Sequence, residues 1–270
     1  MSLARATSSE LSKQFTTAIW WVLAIVLAVY VGISAAGIAA AIGAAASGVL
    51  TDTAGMDLPE GSTGMLYSVA TTVGYVFPLL IGTLLVTGEF RHKTLTVTFL
   101  ATPRRGTVLW AKVLAGAVMG VVYGVIALVV TVGGVAGVLA LFGQDPELTN
   151  PDTWALLGRI LIAYVLWVLV GIGTGLVIRN QVAAIVVVLA FTQFVEPLLR
   201  LGGSFVTGLA DAARFLPGAA SDALVGSSLF SAMAAGPDAL PWWGGGAVLL
   251  GYAVVLLIIG HIFSWRRDVA

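Results

Sequence analysis

Six stretches of the 270-residue chain contain no Asp, Glu, Lys or Arg: Gln14 to Thr51, Gly61 to Gly88, Val113 to Gln144, Ile160 to Ile178, Asn180 to Val195 and Ala239 to Trp265. A hydrocarbon layer about 30 Å thick needs about 20 residues of helix to cross it. Five of the stretches are long enough outright, and the one from Asn180 becomes so if its helix continues past Glu196. The expectation is six transmembrane helices, at about 18 to 46, 65 to 88, 113 to 142, 155 to 178, 181 to 199 and 242 to 264. A membrane β-barrel strand would alternate in polarity, whereas Ala183 to Ala190 is apolar on every face. The fold class read here is therefore all-α integral membrane.

Composition narrows the function. Only 10% of residues are charged and 59% are hydrophobic, too little polar surface to coat a water-soluble globule of this size. Thirteen Lys and Arg balance thirteen Asp and Glu, so no bulk basic field exists to hold a polyanion and nucleic acid is not an expected partner. There is no cysteine, which removes disulfides and thiolate chemistry, and two distant histidines make a poor zinc site. The polar stretch Ser8 to Gln14 and the length of the apolar run after it do not suit a cleavable signal peptide.

Loop charges set the expected orientation. With the N-terminus in the cytoplasm, Arg5, Lys13, Arg91, Lys93, Arg104, Arg105, Lys112, Arg179, Arg266 and Arg267 all fall inside, ten of the thirteen basic residues. Both termini are then cytoplasmic. No internal repeat of the kind many secondary carriers show is evident. The apolar segment 200–241 is broken by Gly202, Gly203, Gly208, Pro217, Gly218, Gly226, Gly236 and Pro237, so it cannot be one straight span. It reads as short extracellular or re-entrant helices before the last span.

Two polar features face the expected cytoplasmic side. The stretch 89–112, E-F-R-H-K-T-L-T-V-T-F-L-A-T-P-R-R-G-T-V-L-W-A-K, holds five basic residues. It can anchor to anionic lipid, but its length exceeds the usual link between adjacent helices. Phe90 to Leu100 can form an amphipathic helix that Pro103 would end, although the alternation at Thr94, Thr96 and Thr98 complicates that reading. Near the N-terminus, Ser8 or Ser9 can cap a short interfacial helix within 1–17 that carries Glu10 and Lys13 and turns Leu11 and Phe15 to one apolar face.

Together, S-E-L-S-K-Q-F-T-T-A-I-W-W before helix one, G-E-F-R-H-K-T-L after helix two, T-P-R-R-G before helix three, and Lys112 resemble the bacterial type-2 ABC transporter permeases. The resemblance covers most of the chain. It implies the type-2 exporter fold, a pair of permeases (here favoured as a homodimer), and two copies of a cytoplasmic ATP-binding subunit that hold the ATP and Mg. It also implies a coupling element containing Glu89, Arg91, Thr94, Pro103, Arg104 and Arg105, and an interface helix containing Glu10 and Lys13. Lys93 stands where many relatives carry a small residue. The implied cargo is a hydrophobic or amphipathic small molecule or lipid, and the implied location the bacterial plasma membrane.

The residues agree that ATP chemistry belongs to another chain. No G-x-x-x-x-G-K-[ST] occurs, and Gly171, Gly173 and Gly175 lie inside an apolar helix, where packing is their expected role. The four-residue ladders Gly116, Gly120, Gly124 and Gly32, Ala36, Ala40, Ala44, Gly48 predict close helix contacts. Among intramembrane charges, Arg159 can snorkel or pair with Asp152, and Glu196 and Arg200 at i and i+4 can neutralise each other. Glu196, Pro197 and Arg200 are the candidates for a gate or polar point on a translocation path. The competing readings are an ion-coupled secondary carrier or channel, and an intramembrane hydrolase using Ser204 with His261.

Overall fold

The computed structural model describes residues 2–47, 61–101, 104–203, 207–228 and 240–265. Gly48, Pro103, Ser204, Gly236, Pro237, Arg266 and Arg267 lie outside these residues, and with them the expectations that rest on them. The described residues are helical, without strands. Six helices are long and apolar enough to cross a membrane: Ala18–Ala46, Ser62–Arg91, Arg105–Leu141, Pro151–Val177, Gln181–Gly203 and Trp242–Phe263. This is the architecture of a multi-pass membrane protein.

A short helix α1 (Leu3–Thr16) precedes the first span, α2 (Ala18–Ala46), with the extended Thr17 between them. The second span is two helices, α3 (Ser62–Gly74) and α4 (Val76–Arg91). Its break has a local cause. Pro78 offers no N–H to the Gly74 carbonyl four residues back and its ring crowds that carbonyl, so the ladder fails at Tyr75. Helix α5 (Leu95–Ala101) is followed by α6 (Arg105–Leu141), the third span. The fourth is α7 (Pro151–Val177), with Asn150 capping its start by accepting from the Asp152 N–H.

The fifth span runs α8 (Gln181–Ala190), a π turn (Phe191–Val195) and α9 (Glu196–Gly203). The wide turn accommodates Pro197, which cannot donate to residue 193. Two short helices follow, α10 (Thr207–Ala213) and α11 (Pro217–Val225), so the described part of the segment before the last span is broken as expected. The sixth span is α12 (Trp242–Gly260), continued by a second π turn, His261–Trp265.

The second and fourth spans form the centre of the bundle, with 72% and 61% of their apolar windows buried, against 17% for the sixth. Helix α7 packs on α4, α6 and α12, and α2 packs on α6. Glycines make this closeness possible. A Cβ on Gly82 would strike the Val168 carbonyl, one on Gly171 the Leu79 carbonyl, and one on Gly120 would sit 2.7 Å from Val165 Cα. The Gly116 to Gly124 ladder therefore packs against α7 within the same chain, and Gly171 to Gly175 serves packing, as expected. Buried hydroxyls join the spans: Tyr164 donates to the Ala70 carbonyl at 2.7 Å, Tyr123 to Trp20 at 2.7 Å and Thr83 to Gly171 at 3.2 Å. In an apolar layer each such group must find a partner inside the protein.

Several expectations are corrected. The third span starts at Arg105 and not near 113. At 37 residues it is about 55 Å long, well over the thickness of an apolar layer. Phe90 and Arg91 belong to the end of α4, so the amphipathic helix expected over 90–100 is shorter and begins at Leu95. Lys93 makes the turn between α4 and α5 with φ 54°, a left-handed conformation that suits glycine far better than a branched chain. Helix α1 is capped by Ser2 and not by Ser8 or Ser9. Its inward face is Ala6 and Glu10, while Phe15 is exposed and packs edge-to-face with Trp20 at 5.0 Å. Arg159 does not pair with Asp152; its guanidinium lies 5.1 Å over the Trp242 ring.

Candidate functional site

At the end of the bundle where α1 lies, four charges close into a ring. Lys112, which directly precedes the uncharged run of α6, is fully buried between two carboxylates. Its Nζ lies 2.6 Å from Glu10 Oε2 and 2.8 Å from Glu89 Oε2, the latter an ion pair without hydrogen-bond geometry. Lys13 Nζ completes the ring, 2.6 Å from Glu10 Oε1 and 2.9 Å from Glu89 Oε1, and reaches Thr98 Oγ1 at 3.4 Å. Four elements thus meet through side chains: α1, the end of the second span, α5 and the start of the third span.

The ring sets two basic against two acidic side chains, which offsets the cost of burying Glu10 (3% exposed) and Glu89 (8%). Burial alone would raise the pKa of Glu10, but Lys112 and Lys13 outweigh it and hold the carboxyl below its ordinary value. Burial alone would lower that of Lys13, yet Glu10 and Glu89 reverse this and raise it. Both groups remain charged throughout the neutral range.

Beside the ring lies the basic turn between α4 and α6. Thr94 N–H donates to the Glu89 carbonyl, and the Thr94 carbonyl accepts from Thr98, which starts α5 as a helix and resolves the threonine alternation there. Arg105 stacks on Phe99, 5.1 Å from its ring. Arg104 is exposed in an extended conformation, with its carbonyl accepting from Thr107. Arg91 is also exposed, 3.5 Å from Gln181 Oε1 at the start of the fifth span.

A second polar cluster lies about 20 Å of helix away, back along the second span at Tyr75. Here the two irregular spans face each other. The Tyr75 hydroxyl donates to the Thr192 carbonyl inside the π turn at 3.0 Å. Between them is a cavity of about 250 Å³, reached by Tyr30 from α2, Thr71 and Tyr75 from the second span, Glu196 and Arg200 from α9, and Asp222 from α11. The break at Pro78 and the bulge before Pro197 are thus the two departures from straight helix that open space here.

Glu196 is 1% exposed. Its Oε1 accepts from the backbone N–H of Gly218 and, at 3.2 Å, of Ala219, capping the first turn of α11 from a different helix. A Cβ on Gly218 would meet this carboxylate, which would have to move off the α11 N-terminus. Arg200 pairs with Asp222, so the carboxylate that answers it comes from α11, where the sequence suggested Glu196 one turn away. Ser221 on the same helix accepts from Trp167 Nε1 at 3.0 Å and ties α11 to the fourth span.

Glu10, Lys13 and Glu89 are therefore brought together, with Arg91, Thr94, Arg104 and Arg105 on the turns around them; Glu196, Pro197 and Arg200 are brought together around the cavity. Lys112, named in the sequence only as part of the family resemblance and as a lysine bordering an apolar run, proves to be the central partner of Glu10 and Glu89. Tyr75, Gly218 and Asp222 join the sites without any local signal. No metal-binding cluster of three or more His, Cys, Asp or Glu exists among the described residues. The chain matches no known family model and no curated protein.

Proposed function

We propose that this chain is the membrane subunit of an ATP-binding cassette exporter, embedded in the bacterial plasma membrane with both termini in the cytoplasm. The observation that carries the reading is the ring of Glu10, Lys13, Glu89 and Lys112. It welds the interfacial helix and the turn helix α5 to the ends of two spans, so a push on that polar surface reaches the bundle core through side chains that cannot part cheaply. The surface is basic and exposed at Arg91 and Arg104, which suits docking of a soluble partner.

On this reading a second copy of the chain completes the translocation path, and two copies of an ATPase subunit hold ATP and Mg and perform the hydrolysis. ATP acts at a distance. Its binding has to favour one arrangement of the membrane helices over the other, because a ligand with equal affinity for both shifts nothing. The apolar spans suit a hydrophobic or amphipathic cargo.

The cavity at Glu196 also favours a second reading, an ion-coupled carrier, since buried carboxylates at membrane depth serve as ion or proton sites. Purification of the tagged chain from its native membrane in mild detergent, followed by mass spectrometry and an ATPase assay, separates the two. A stoichiometric P-loop ATPase with hydrolysis supports the exporter. An ATP-silent chain that repeatedly purifies alone contradicts it and favours the carrier.

A further inference from the structure

The cavity between the second and fifth spans holds more carboxylate than its neighbours neutralise. Glu196 and Asp222 contribute two negative charges and Arg200 one positive, and Arg200 is already committed to Asp222. The N-terminus of α11 adds at most about half a positive charge, delivered through the Gly218 and Ala219 N–H groups to Oε1. Glu196 Oε2 is fully buried and has no hydrogen-bond partner. A buried carboxyl oxygen left so costs free energy in an apolar layer, and native structures rarely leave one without a reason.

We infer that this cavity is a binding site for the protonated amine of an amphipathic molecule, with Glu196 Oε2 as its counter-ion. An ammonium supplies both things the site lacks, a positive charge and N–H donors. The walls fit it. The rings of Tyr30 and Tyr75 line the same cavity and can face a cation. Thr71, Thr72 and Gln193 offer oxygen acceptors for the remaining N–H groups. The volume of about 250 Å³ is below the usual range for a whole drug-sized ligand, so it takes a head group with a short apolar stem and leaves a longer tail among the spans. An anion is disfavoured, because the guanidinium that lines the cavity, that of Arg200, is paired with Asp222.

Calling this ligand a transported substrate rests on the permease reading; the binding itself does not, and it is tested on the isolated chain. The protein is placed in phosphatidylglycerol nanodiscs, which carry no amine. Saturation-transfer NMR then compares hexylammonium with hexanol and hexanoate, of equal chain length and different charge. Wild-type protein is expected to saturate with hexylammonium at least about tenfold more tightly than with either analogue, the scale of one charge-assisted contact. Glu196→Gln, which keeps an amide oxygen to accept from Gly218 and Ala219, is expected to abolish that preference. Should that variant fail to fold, Tyr30→Leu leaves the α11 cap untouched and is expected to weaken hexylammonium about threefold or more, as loss of a cation–π contact does. Equal binding of the three compounds, a preference for hexanoate, a hexylammonium preference that survives in the folded Glu196→Gln protein, or undiminished hexylammonium affinity in Tyr30→Leu overturns the assignment. An absent ATPase partner would leave all of these results standing.

Discussion

Lys112 Nζ sits 2.6 Å from Glu10 Oε2 although 102 residues separate the two in the chain. The contact holds α1 against the start of the third span and makes the N-terminal helix part of the bundle. Replacing Lys112 by Met leaves Glu10 and Glu89 buried with only the half-exposed Lys13 between them. Removing one partner from a buried ion cluster costs about 3–5 kcal/mol, because the charges left behind are uncompensated. Lys112→Met should therefore lower the melting temperature in detergent clearly. Adding Glu10→Gln to it should recover part of the loss, and a double-mutant cycle showing strict additivity would contradict the pairing.

The ring should also set the pH range over which α1 stays docked. Glu10 titrates below its ordinary 4.5 in the folded protein, so its contribution is present above about that pH and is lost as pH falls through the folded value. Lys13 titrates above its ordinary 10.5, so its contribution is complete below that value and is lost only as pH rises through the higher folded one. Docking should be flat across neutral pH and fail in acid, as pH falls through the lowered folded value of Glu10. Since the chain has no cysteine, spin labels at Ser8→Cys and Gly106→Cys, both exposed, report the distance directly. A broadening of that distance anywhere in the neutral range would count against this account.

The spans were legible because a run without charge is the property a lipid layer selects, and α2 coincides with the interval expected from it. Their ends were less so. Glu89 and Lys112 end the apolar runs without ending the helices, which reach to Arg91 and start at Arg105, since a charged residue is a good helix former once outside the lipid. Glu10, Lys13 and Glu89 stood out as polar residues beside spans, but their union depends on chain separations of 76 and more that no local pattern encodes. Likewise Glu196 and Arg200 carried the correct helical spacing. The tertiary placement of Asp222 decided which acid answers the arginine. Pro197 stood out beside Glu196, but the break that Pro78 makes in the second span, where Tyr75 meets Thr192, was not foreseen in a span read as continuous over 65 to 88.

Gly218 tests the seat of Glu196. A methyl group there meets the carboxylate and forces it away from the α11 N-terminus. Gly218→Ala should cost about 1–3 kcal/mol, as overpacking at a buried site does. Gly37 lies on an exposed face of α2, where an added methyl would have open space around it. It is the control, and Gly37→Ala should be neutral or slightly stabilising. Equal melting temperatures for the two variants would remove the packing argument.

Lys93 adopts φ 54° at the turn after α4. A non-glycine residue in that region costs on the order of 1 kcal/mol. Lys93→Gly should raise the melting temperature modestly, and Lys93→Val, branched at Cβ, should lower it. A rise with valine would mean that the turn is not left-handed.

On the proposed reading, a soluble ATPase docks on the basic turn between the second and third spans. Arg104 is exposed and Arg105 rests on Phe99, and neither belongs to the buried ring, so Arg104→Glu with Arg105→Glu reverses the surface charge without opening the core. The most direct measurement is the amount of ATPase subunit that copurifies with this double variant from native membrane, relative to wild type, at equal melting temperature. The account predicts loss of most of the bound ATPase from a protein that remains folded. Undiminished ATPase binding and hydrolysis by the folded variant would contradict it.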